Sequence, residues 1–173
     1  MHVTLALANR KLADLRKEFD NLIAIEAEVI PALDASPSAV ARSAKSILRS
    51  SGIEGIYTGI EGVLKEIVTT MDEAIPAAGD SWHARLLAQA ALRTDAREAI
   101  VSEETYKALD RLRSFRHLER NVYRHALRPE GVDENFDLMR KVFDDVHDDI
   151  RTFLEARSDQ LDQDVGGSPS GPR

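Results

Sequence analysis

Apolar residues recur at alternating steps of three and four along most of this chain, and each run predicts one face of an amphipathic helix. The first run places Leu5, Ala8, Leu12, Leu15, Phe19, Leu22, Ile25 and Val29 on one side, and Pro31 is expected to end it. A second spans about Ser38 to Met71, with Val40, Ala44, Ile47, Ile56, Ile60, Val63, Ile67 and Met71 as its expected core stripe. Gly52, Gly55, Gly59 and Gly62 interrupt that stripe. Each glycine weakens a helix by about 1 kcal/mol relative to alanine, so the four predict either a kink or another helix packed close to the backbone, within the chain or across a dimer.

Pro76 to Asp80 reads as a loop, after which Asp80 or Ser81 can cap a shorter helix carrying Trp82, Leu86, Leu87 and Ala90. Arg93 to Val101 reads as a connector. A fourth helix is expected from near Ser102, where Glu103 and Glu104 suit the N-terminal dipole, through Leu109, Leu112, Phe115 and Val122 to about Arg128, because Pro129 and Gly131 follow. The fifth, about Asp133 to Arg157, keeps Met139, Val142, Val146, Ile150 and Phe153 on one side and a dense acidic face on the other. From Ser158 onward the composition predicts a disordered tail, so one domain is expected over residues 1–157 and a tail over 158–173. With no alternating strand pattern, the fold class is all-α, a bundle of about five helices packed antiparallel, up and down.

Composition narrows the chemistry. The 173 residues include no cysteine, which removes disulfides, thiol nucleophiles and thiolate zinc sites. No run has signal-peptide or membrane-spanning length, and the expected location is the cytoplasm, away from membranes. A net charge of −7 argues against a general nucleic-acid coat, yet Arg111 to Arg128 holds six arginines against Glu119 alone. That window therefore carries +5 and the rest of the chain −12. Such an island is a local anion site, or it pairs with acidic helices elsewhere.

The string Ser114-Phe115-Arg116-His117-Leu118-Glu119-Arg120-Asn121-Val122-Tyr123-Arg124-His125 lies within it. At about 100° per residue, Arg116, Arg120 and Tyr123 share a sector of roughly 60°, with Arg113 and Arg124 beside them. Guanidiniums crowded on one stripe repel unless an anion or carboxylates sit among them, and their forked donors suit phosphate oxygens. Elsewhere the bland readings prevail. Trp82 reads as a core or dimer-interface anchor and His83 as a local hydrogen-bonding group. Asp144-Asp145-Val146-His147-Asp148-Asp149 reads as a solvated face in preference to a metal site, so neither metal nor cofactor is expected.

Phe115-Arg116-His117-x-x-Arg120-Asn121-x-Tyr123 resembles the FRHxxRHxYG string of HepT-like ribonuclease toxins, members of the HEPN proteins. Tyr57-Thr58-Gly59-Ile60-Glu61 and Gly79-Asp80-Ser81-Trp82-His83-x-x-Leu86-Leu87 are similar to blocks that precede it there, so the resemblance covers roughly residues 50 to 132. It implies a HEPN-type bundle acting as a homodimer, with RNA as substrate and metal-independent cleavage in which the 2′-hydroxyl attacks the adjacent phosphate. It also implies a minimal nucleotidyltransferase antitoxin as partner. Carried over, Arg116 stabilises phosphoryl charge and Tyr123 receives AMP from the antitoxin, while Arg113, Arg120 and Arg124 of the stripe are the candidate phosphate-binding residues. The family's histidine position holds Asn121, which cannot exchange a proton near neutral pH. His117 and His125 are the candidate substitutes. The Arg-x4-His spacing puts its two ends about 140° apart on a helix, so a composite dimer site or a local distortion is needed. Two further readings stay open: a non-catalytic HEPN dimer that binds RNA, nucleotide or protein through the arginine stripe, and a helical adaptor.

Overall fold

The computed structural model describes residues 2–36, 38–72, 81–121 and 128–166, with side chains described over 5–36, 38–72, 81–116 and 128–161. The described residues form five helices and no strand: α1 His2–Asp34, α2 Ala39–Met71, α3 Trp82–Ala90, α4 Glu103–Asn121 and α5 Pro129–Gly166. The four long helices pack antiparallel in sequence, up and down. Leu15 and Leu22 of α1 lie against Gly59 and Gly52 of α2, and Arg111 of α4 pairs with Glu134 of α5. α3 lies across α2 and α4. This is the all-α bundle that the periodicity predicts.

α2 runs through the centre of the bundle, touching each of the other four helices. Its buried arc is correspondingly wide. Ile53, Ile56, Tyr57, Ile60, Val63, Leu64, Ile67 and Val68 are all at most 3% exposed. The expected stripe is corrected at its start, where Val40 is 78% and Ile47 51% exposed, because the first turns of α2 bury Ala41 and turn Val40 and Ile47 outward. Two of the four glycines meet the close-packing expectation within the chain. A Cβ on Gly59 would stand 2.5 Å from Leu15 Cδ1 and one on Gly52 would stand 2.8 Å from Leu22 Cδ2, whereas Gly55 and Gly62 face open space.

Helix ends follow local chemistry, with three corrections. Ser38 caps α2, its Oγ accepting from the Ala41 amide at 3.0 Å. Pro31 does not end α1, which continues to Asp34. The ring forfeits one hydrogen bond, but Ile30 is buried and Lys45 of α2 holds Asp34 at 3.1 Å, so tertiary contacts hold the last turn. Pro129 opens α5, four residues ahead of the expected start, at the first helical position where a missing N–H costs nothing. α5 also continues to Gly166, nine residues past the boundary expected at 157, and Leu161 packs against the core.

Phe19 of α1 and Phe143 of α5 stack with centroids 3.8 Å apart and ring planes 5° apart. The acidic face of α5 is partly paired, Asp144 with Arg16 and Asp148 with Arg151. No helix among the described residues is long and apolar enough to cross a membrane.

Candidate functional site

A carboxylate inside the apolar arc of a central helix is costly unless it is paired. Glu61 occupies such a place, flanked by the buried Ile60, Val63 and Leu64, and its side chain is only 8% exposed. Two partners compensate it. Arg116 Nη1, from α4, donates to Glu61 Oε2 at 3.2 Å. His83 Nδ1, from α3, lies 2.7 Å from Glu61 Oε1. An ionised carboxylate only accepts, so the ring nitrogen is the donor there. One side chain thus ties α3 and α4 to α2.

Tyr57 stands one turn before Glu61 and completes the cluster. The Arg116 guanidinium carbon sits 5.8 Å from the centre of its ring, within cation–π range. Burial first, and then the Glu61 carboxylate, push the Tyr57 hydroxyl far above the ordinary phenol range, while Arg113 and Arg116 oppose this. Tyr57 is therefore a neutral phenol at physiological pH.

Arg116 itself is 8% exposed, and its Nε is buried with no hydrogen-bond partner among the described residues. Arg97, in the connector before α4, makes an instructive contrast. Its Nε and Nη2 hold Asp72 at 2.7 Å each, while Nη1 and Nη2 also donate to the carbonyls of Leu92, Glu98 and Gln89 at 2.9–3.1 Å. All five of its N–H groups are used, so Arg97 is a structural knot. Arg116, by contrast, shows one side-chain acceptor, Glu61, among the described residues.

Of the candidate catalytic, phosphate-binding and modification residues on the basic helix, Arg113 and Arg116 have described side chains. Arg113 Nε donates to Asp110 at 2.8 Å, within its own helix. With Arg111 on Glu134 and Arg116 on Glu61, the first half of the basic island is matched by the protein's own carboxylates. His117, Arg120 and Asn121 continue α4, their side chains outside the described residues, and Tyr123, Arg124 and His125 lie outside them altogether. Glu61 and Tyr57 carry no role in the sequence reading, although an acid set between Ile60 and Val63 of the α2 stripe is a visible signal. His83 was expected to bond locally, and it reaches a helix 22 residues upstream instead.

A family model described as HepT-like protein matches residues 50–157, well over half of the chain. The chain belongs to the HepT-like family. The match begins within α2 and takes in Tyr57, Glu61, His83 and Arg116, while α1 lies before it. No curated protein and no solved structure matches the chain. In this HepT-like HEPN protein, Arg116 of α4 is held in the grip of a carboxylate from α2.

Proposed function

We propose that this HepT-like protein is the toxin of a HEPN and minimal nucleotidyltransferase pair, a cytoplasmic homodimer that cleaves RNA without a metal. The observation that carries the proposal is Arg116. It lies inside the family match and is fixed by Glu61, with Nε still unpaired among the described residues. A guanidinium held in a dry wall is preorganised for charge that develops on a phosphoryl oxygen, and little reorganisation is then needed as the reaction proceeds. Arg113, Arg120 and Arg124 would guide the phosphodiester to it. Asn121 would orient the substrate by hydrogen bonds, and proton transfer would fall to a histidine beside the arginine. Tyr123 would be the regulatory residue, taking AMP from the antitoxin.

Purified protein incubated with RNA in EDTA tests this. Cleavage that is lost in Arg116→Ala and kept in Lys17→Ala, an exposed change on α1, is the expected result. A wild-type protein that leaves RNA intact refutes it. Co-expression with a cognate minimal nucleotidyltransferase is expected to add whole AMP units by intact mass, and Tyr123→Phe to add none. A second reading has its own observation: Glu61 already neutralises Arg116 and position 121 lacks histidine, as a non-catalytic dimer that only binds RNA, nucleotide or protein would allow. RNA binding without cleavage would select it.

A further inference from the structure

His83 sits in an arrangement that neither the basic helix nor the family match assigns. Its Nδ1 is tethered to Glu61 Oε1 at 2.7 Å. The other oxygen of that same carboxylate holds Arg116. About a quarter of the His83 side chain reaches solvent, whereas Glu61 is nearly enclosed. A buried carboxylate on one ring nitrogen fixes the imidazole's tautomer and orientation and stabilises the imidazolium once it forms. It leaves Nε2 as the nitrogen able to accept a proton, on a ring anchored beside the guanidinium suited to phosphate. The Trp82 ring, 4.3 Å from the imidazole and tilted 34°, flanks it on the same helix.

We infer that His83 is the proton-transferring group of this site, supplying through the Glu61–His83 pair what Asn121 cannot. This rests on the ribonuclease reading above. In the step it would serve, the 2′-hydroxyl oxygen bonds to phosphorus while the bond from phosphorus to the 5′-oxygen breaks. The 2′-hydroxyl proton passes to His83 Nε2. The imidazolium then gives a proton to the departing 5′-oxygen, directly or through water, leaving a 2′,3′-cyclic phosphate and a 5′-hydroxyl. Arg116 balances the charge on the non-bridging oxygens. Glu61 is the positioning residue for both partners.

The decisive variant is His83→Asn in the full-length protein. Its amide can still donate to Glu61 from near the Nδ1 position but cannot carry the proton. General acid–base catalysis contributes about 10²–10⁴-fold, so cleavage of a fluorescent RNA is expected to fall by at least 100-fold. RNA affinity and melting temperature should stay near wild type. His83→Ala should fall as far and recover in part when imidazole is added, and the wild-type product should carry the cyclic phosphate. Lys17→Ala, exposed on α1, should keep wild-type activity. A His83→Asn protein that cuts within threefold of wild type overturns the assignment and leaves the ribonuclease reading intact. A wild type that does not cut removes both.

Discussion

Deleting Glu61 from the wall of the site is the perturbation that the geometry constrains best. The Arg116–Glu61 contact is 3.2 Å long between side chains 10% and 8% exposed, so solvent screens it little. At an effective dielectric of about 20 two unit charges at that distance attract by about 5 kcal/mol. Desolvation of both ions offsets much of this, and a net coupling of about 2–3 kcal/mol is the expectation. Glu61→Ala strands the guanidinium and removes the His83 bond, a change of about 3–5 kcal/mol against a total stability on the order of 5–15 kcal/mol. Arg116→Ala is expected to cost less, because Glu61 retains His83. Urea unfolding followed by circular dichroism, on Glu61→Ala, Arg116→Ala and the double variant, measures the coupling directly. A cycle that closes to within about 0.5 kcal/mol would show that the two residues are independent and would refute the argument from a shared buried carboxylate.

The glycines of α2 predict opposite signs. Gly62→Ala, facing open space, is expected to stabilise by roughly 0.5–1 kcal/mol, whereas Gly59→Ala, which drives into buried Leu15, is expected to cost about 1 kcal/mol once the helix gain is offset. Thermal melts of the pair check this, and equal shifts would contradict it. Phe143→Ala removes the ring stacked on Phe19 and is expected to cost about 3–5 kcal/mol by urea titration. Arg97→Ala leaves the buried Asp72 carboxylate without its counter-charge, with Gln89 as its remaining side-chain donor, and should destabilise by about 3 kcal/mol. Its RNA affinity, measured below its melting point, should match wild type.

Much of the bundle was legible because its signals are local. Ser38, the Glu103-Glu104 pair and the three-four spacing mark helix starts and faces through interactions within a turn or two. Pro31 and Pro129 misled in opposite directions for one reason. A proline states what its own ring forbids, while the packing of Ile30 and the geometry at the start of α5 decide whether the helix goes on. Val40 and Ile47 carry the correct period, but periodicity cannot tell which of two adjacent faces the neighbouring helices cover. At the site, Arg116 stood out by its crowd of like charges. Its partner did not, since Glu61 lies 55 residues away and His83 meets it through a pairing that only the fold creates. The connector knot at Arg97 escaped notice for the same reason, its anchor Asp72 lying 25 residues earlier.

Because α2 is enclosed by every other helix, the segment bearing Tyr57 and Glu61 has no route to fray by itself. Its amide protons are expected to be among the slowest in the protein to exchange with deuterated solvent, opening only when the whole molecule unfolds. The anchor of the arginine would then hold its shape up to the melting point, and heat would abolish the site and the fold in a single event.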